Sequence, residues 1–159
     1  MVTGHRPDKV GGYGSSRVQD AVRAWLRCRL RDAWAKHSGG VIAVSGGALG
    51  VDQWFAEEAI VLGIPFELYE PFIGFDFPWQ RQARQQYASL RERAKRVVTV
   101  CPPGYTAAKM QRRNEAMVNV SQTILAVWDG SDGGTANCIN YVHSVGREVD
   151  ALLNPRDLK

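Results

Sequence analysis

The sequence predicts an α/β fold: a three-layer Rossmann-like domain with a mainly parallel central sheet. Three observations predict it. Short β-type runs alternate with helical patterns along the whole chain. The connections between them are short, and strand–helix–strand units of this kind make right-handed crossovers that cover a parallel sheet on both faces. Glycine-rich segments follow the first, second and fifth strands, at the sheet end where such folds bind ligands.

Taken in order, the first strand is short: residues 1–3 run straight into Gly4-His5-Arg6-Pro7, and a second glycine cluster, Gly11-Gly12-Tyr13-Gly14, precedes a helical pattern over 16–37. Residues 41–44, Val-Ile-Ala-Val, are the continuous apolar run of a strand buried on both faces. The next helix, 48–62, carries Val51, Phe55, Ala59 and Leu62 on one face together with Glu58. A strand at 66–69, a helix at 78–94 and a strand at 96–100 continue the alternation. The helix at 107–121 places Met110, Asn114, Met117, Val118 and Ser121 on one stripe, so Asn114 points inward and needs a hydrogen-bond partner. A strand at 123–128, a helix at 135–146 and a last strand at 149–153 complete a single domain over 1–159.

Composition excludes several classes. Hydrophobic residues are 45% and charged ones 23% of the 159, which is ordinary for a globular chain and unlike a disordered one. No apolar run approaches the roughly 18–20 residues that span a bilayer, and no secretory leader core is present, so a cytoplasmic protein without membrane contact is expected. Cys28, Cys101 and Cys138 are odd in number and far apart, with no CxxC pair, so reduced thiols are expected, with no metal site and no cofactor. The formal net charge of +4 permits an anionic partner without specifying one. Six basic residues fall within 17–36 and six within 79–96, which either solvate helix faces or track a nucleic-acid backbone. Trp25, Trp34 and Trp54 add apolar area that serves core packing or self-association, and a homo-oligomer is expected.

The strand-to-helix junctions carry the chemistry. Glycines after a buried strand let the backbone turn tightly and approach a ligand with no Cβ in the way. The following helix start offers unpaired N–H groups and the positive end of its dipole, a seat for phosphate or carboxylate. Ser45-Gly46-Gly47 and Gly133-Gly134-Thr135 are two such nests, with Thr135 expected to cap its helix. Gly4, His5 and Arg6 occupy the ligand position of the first junction, where Arg6 can clamp an anion bidentately. Asp129 and Asn137 flank the second nest, and Arg113 adds positive charge beside Asn114. A carboxylate beside an anion seat repels phosphate, so Asp52 suits a sugar hydroxyl. No Gly-Lys-Ser/Thr follows the glycines and no GxGxxG is present, which disfavours a P-loop NTPase or a dinucleotide enzyme.

These segments together resemble the SLOG superfamily, which includes the DNA-processing protein DprA and the Lonely Guy cytokinin-activating enzymes, and within it the YpsA-like branch. The resemblance covers nearly the whole chain. It rests on Thr3-Gly4-His5-Arg6-Pro7, Ser45-Gly46-Gly47-Ala48-Leu49-Gly50-Val51-Asp52, Arg113-Asn114, and Trp128-Asp129-Gly130 with Gly133-Gly134-Thr135-Ala136-Asn137. It implies a nucleotide or nucleotide-derived ligand at the carboxyl end of the sheet. Lonely Guy members cleave the N-glycosidic bond of a nucleoside 5′-monophosphate with an arginine and the glutamate of PGGxGTxxE. Here Gly133-Gly134-Thr135 aligns, but Cys138 stands at the glutamate position and no proline precedes the glycines. A glycosidase on this chain therefore needs another carboxylate, Asp52 or Glu58. Binding of a nucleotide-like small molecule, with or without hydrolysis, stands beside two alternatives: a DprA-like binder of single-stranded nucleic acid and a non-catalytic nucleotide sensor.

Overall fold

The computed structural model describes residues 1–158. The strands are β1 (Val2–Gly4), β2 (Ala43–Ser45), β3 (Phe66–Glu70), β4 (Arg96–Thr99), β5 (Leu125–Val127) and β6 (Ala151–Leu153). Between them lie α1 (Arg17–Lys36), α2 (Val51–Val61), α3 (Arg81–Arg93), α4 (Ala107–Val120) and α5 (Gly134–Ser144). Every strand pairing is parallel, so the expected α/β, Rossmann-like arrangement holds. The ladders fall into two groups of three, β1–β5–β6 and β2–β3–β4, with β5 and β3 central. β1 lies beside β2 without ladder bonds between them.

The strands sort their side chains by the two-residue period onto two faces. Val2, Ala43, Leu68 and Val127 join a core with Val22, Leu26 and Leu30 of α1, Trp54 and Phe55 of α2, and Tyr87 of α3. Their neighbours Met1, Val44 and Tyr69 join a second core with Met117 and Val118 of α4 and Cys138 and Val142 of α5. Three layers follow: α1, α2 and α3 on one face, the sheet, and α4 and α5 on the other. Each fully buried Leu or Phe contributes about 1.5–3 kcal/mol to this packing.

The helix starts differ in a way that bears on function. Ser16 caps α1 by accepting from the Gln19 amide, and Thr106 caps α4 by accepting from the Lys109 amide. By contrast, α2 and α5 begin after Gly50 and Gly133, whose φ angles of +92° and +140° suit glycine, and neither helix carries a side-chain cap. Thr135, expected as a cap, lies instead inside the first turn of α5. Trp54 is buried in the core and Trp25 packs against it, leaving Trp34 as the exposed member of the three.

Candidate functional site

The carboxyl end of β1, the segment that follows β5 and the starts of α2 and α5 enclose a cleft of about 230 Å³. One wall is the first junction, from Thr3 to Arg6 and on to Lys9. The floor is Ala48 and Asp52, the far side Met110, Arg113 and Asn114 of α4, and the last edge runs from Asp132 to Thr135. The structure thus brings together Gly4, His5, Arg6, Asp52, Arg113, Asn114, Gly133, Gly134 and Thr135 of the expected site residues.

The floor is a buried ion pair. Asp52 is 7% exposed and Arg113 4%, with Arg113 Nη1 4.0 Å from Asp52 Oδ2. Burial pushes the Asp52 carboxyl up to about 6, against the pull of the Arg113 guanidinium, the Ala48 amide and Arg6. Burial also lowers the proton affinity of Arg113, while Asp52 acts in the opposite direction. Arg113 Nη1 donates to the Gly46 carbonyl and Nε to Asn114 Oδ1 at 2.9 Å. The inward-facing Asn114 in turn donates to the Gly134 carbonyl at 3.5 Å. Its partners are therefore protein groups at the cleft edge.

The 45–47 nest lies behind this floor and does not line the cleft. Ser45 Oγ donates to the Asp52 carbonyl at 2.6 Å and accepts from the Gly47 amide at 3.1 Å. The Gly47 carbonyl accepts from Gln53 Nε2 at 3.0 Å. A Cβ on Gly46 would stand 2.3 Å from Arg113 Nη1 and 2.6 Å from Asp52 Oδ2, so this glycine admits the ion pair rather than a ligand. Nearby, Gly4 lets Val51 close onto β1, and the Val51 amide donates to the His5 carbonyl at 3.3 Å.

The α5 start is open. Cβ atoms on Gly133 or Gly134 would meet nothing within 4 Å. The Asn137 amide makes the first intrahelical bond, to Gly133, so the amides of Gly134, Thr135 and Ala136 precede the first turn's partners. Arg6 is exposed at the mouth, and Lys9 donates to Ser131 Oγ at 2.6 Å.

Besides Ser45, Gly46 and Gly47, three further expected site residues are placed outside the cleft. Glu58, on the helix face that points to α1, is buried between Arg23 (3.0 Å) and Arg27 (2.6 Å), so it balances α1 charges and does not reach the cleft. Asp129 accepts from the Ser131 amide and hydroxyl and from Arg156 at 2.8 Å, while its Oδ1 lies 2.7 Å from His5 Nε2, a ring nitrogen that also accepts from the Asp129 amide at 3.1 Å. The Ser131 hydrogen bond leads the causes that hold its carboxyl well below the ordinary range, and burial lowers His5. Asp129 is thus a fastener for the loops at the cleft edge. Asn137 is exposed on α5, its carbonyl accepting from Gln111.

Sequence reasoning did not single out Asp8, Lys9, Ala48 or Asp132 as site residues; all four line the cleft. Lys9 sits three positions beyond Arg6 in the same junction, which was the available signal. Cys138, at the position of the Lonely Guy glutamate, is fully buried, and burial pushes its thiol up to about 11, so it is neither acid nor nucleophile at neutral pH. Among the described residues no three His, Cys, Asp or Glu side chains cluster as metal ligands, and no helix is long and apolar enough to cross a membrane.

Comparison with known proteins agrees with the motif resemblance. The YspA SLOG family model matches residues 1–146, and the chain belongs to that family. An uncharacterized SPbeta prophage-derived protein YoqJ from Bacillus subtilis is 33% identical over 114 residues, covering 62% of this chain and 67% of that protein. A UPF0398 protein from Levilactobacillus brevis is 26% identical over 141 residues, 80% of this chain and 70% of its own.

Proposed function

We propose that this YspA SLOG family member binds a nucleoside monophosphate or a related nucleotide in the carboxyl-end cleft. The observation that carries the reading is the pairing, across one cleft, of an open helix start with a buried Asp52–Arg113 floor. The phosphate sits on the Gly134–Ala136 amides, with Arg6 and Lys9 as its cations. A helix start of this kind stabilises an anion by roughly 0.3–1 kcal/mol when exposed and up to about 2 when partly buried. Asp52 and Asn114 face the sugar and base. Family membership supports a nucleotide-related ligand.

If the ligand is turned over, Asp52 is the carboxylate in place. A carboxyl group near 6 holds a proton for part of the time at neutral pH, as a general acid requires. Hydrolysis would add water at the sugar C1′, break the C1′–N bond and pass a proton to the departing base. The nucleic-acid alternative has weaker support. Of the six basic residues on α1, Arg23, Arg27 and Arg29 are in ion pairs, as are Arg84, Arg91 and Arg96 of the second basic group.

The test is a thermal-shift and mass-spectrometric screen with nucleoside mono-, di- and cyclic phosphates. Binding raises apparent stability by about 2.7 kcal/mol at a hundredfold excess over Kd, and any released base appears in the same sample. Gly134→Leu, which fills the phosphate seat, should abolish the shift. An unchanged response in this variant, or steeply salt-dependent oligonucleotide binding with no effect of mononucleotides, overturns the reading.

A further inference from the structure

The floor of the carboxyl-end cleft holds two charged groups whose hydrogen-bonding capacity the protein leaves unused. Arg113 is 4% exposed and donates through Nε to Asn114 and through Nη1 to the Gly46 carbonyl, while its Nη2 meets no acceptor among the described residues. Asp52 is 7% exposed; it has the Ala48 amide beside it, and no described side chain hydrogen-bonds to its carboxylate. The two stand 4.0 Å apart, too far for a hydrogen bond between them. Neither is sealed from solvent. The only described side-chain nitrogen or oxygen atoms that are both buried and unpartnered are Arg29 Nε and Ser121 Oγ, and neither residue lines this cleft. Asp52 and Arg113 do line it, so the spare acceptor and the spare donor open into it.

Charged groups withdrawn from bulk water favour any ligand that completes their hydrogen bonds. The group that fits this floor presents a donor to Asp52 and, next to it, an acceptor to Arg113. A second anion is not that group, because Asp52 repels it and already balances Arg113. A hydroxyl is both donor and acceptor, so two hydroxyls on neighbouring carbons meet both demands at once. The guanidinium is also held ready: bonds from Nε and Nη1 fix its plane, and a preorganised donor loses little freedom on binding.

We propose that the Asp52–Arg113 floor reads the 2′,3′-cis-diol of a ribose, which makes the ligand of this cleft a ribonucleotide and excludes its deoxy counterparts. The inference rests on the reading of the α5 start as a phosphate seat. One hydroxyl donates to Asp52, and its neighbour accepts from Arg113 Nη2. The order of groups along a nucleotide agrees with this placement. Seat and floor share a cleft of about 230 Å³, room for about eight waters at ~30 Å³ each. In so small a space the group beside a bound 5′-phosphate is the pentose, and the base is carried out toward the mouth.

The test is calorimetric titration of the full chain with AMP, GMP, CMP and UMP and with the 2′-deoxy and 3′-deoxy form of each. For every ribonucleotide that binds, removal of either hydroxyl should weaken binding at least tenfold, equivalent to about 1.4 kcal/mol. Asp52→Asn keeps the size of the side chain and removes the charged acceptor, so it should bring that ratio below tenfold. A deoxy form that binds the wild type within tenfold of its parent overturns the proposal. If that binding is still lost in Gly134→Leu, the phosphate seat stands without the diol. A ratio of tenfold or more that survives in Asp52→Asn assigns the diol to other residues and overturns the proposal too. Binding of none of these compounds overturns both the diol and the monophosphate reading. The wild-type series decides by itself should Asp52→Asn fail to fold.

Discussion

The two glycine-rich junctions at the carboxyl end of the sheet look alike in sequence and do opposite work. At 45–50 the glycines exist because the protein itself comes close. Gly46 admits the Asp52–Arg113 pair, Gly47 faces the Tyr87 ring, and Gly50 lies against the His5 carbonyl. Their amides and carbonyls are taken by Ser45, Gln53 and Arg113. At 130–134 the added Cβ atoms would meet open space, and the helix that follows carries no side-chain cap. Glycine permits close approach, but what approaches is decided elsewhere in the chain. At 45–50 it is the core; at 130–134 it is open space, where the proposed phosphate would sit.

The sharpest way to break this contrast is Gly46→Ala. A methyl group 2.3 Å from Arg113 Nη1 must displace a buried ion pair, which should cost about 3–5 kcal/mol in urea unfolding. A loss below about 1 kcal/mol would show that the floor is loosely packed and that both junctions are open.

Asp52→Asn sharpens the same point through pH. The folded carboxyl titrates near 6, above its ordinary 3.8, so it stabilises the fold below 3.8 and loses that contribution as pH rises through 6. The asparagine variant has no such loss. Relative to wild type it should therefore gain about 2 kcal/mol between pH 4.5 and 7.5, at about 1.4 kcal/mol per pKa unit. A flat difference across that range would mean that Asp52 is well solvated. The smallest effect belongs to Gly134→Ala. With nothing within 4 Å and an ordinary backbone conformation, it should leave stability unchanged or raise it by about 0.4–1 kcal/mol, read as a melting temperature. A clear loss would make this junction a packing device like the other.

Much of the frame was legible because strands and helices announce themselves by period. The stripe Met110–Asn114–Met117–Val118–Ser121 is indeed turned inward, half-buried or buried along α4. The floor was less legible. Arg113 reads as a cation near a cleft, and only the packing of α4 under Gly46 makes it the buried partner of Asp52. Glu58 illustrates the converse. Its place on an apolar helix face is visible in the sequence, yet which charges meet it depends on the docking of α1, which puts Arg23 and Arg27 over it. The unladdered seam between β1 and β2 leaves no local signature, since strand pairing is a long-range property.

That seam also divides the chain by sequence separation. The β2–β3–β4 ladder is drawn from one contiguous stretch, residues 43–99, and its loops close at modest entropic cost. The β1–β5–β6 ladder must join the two ends of the chain, and the His5–Asp129 contact beside it spans 124 positions. Long-range parallel pairing is the slow part of folding. Contact order therefore predicts that the carboxyl-end cleft, whose two edges follow β1 and β5, is completed after the β2–β3–β4 ladder. Protection of the β1 and β5 amides from hydrogen exchange during refolding, timed against that of the β3 amides, tests whether the edges of the cleft form last.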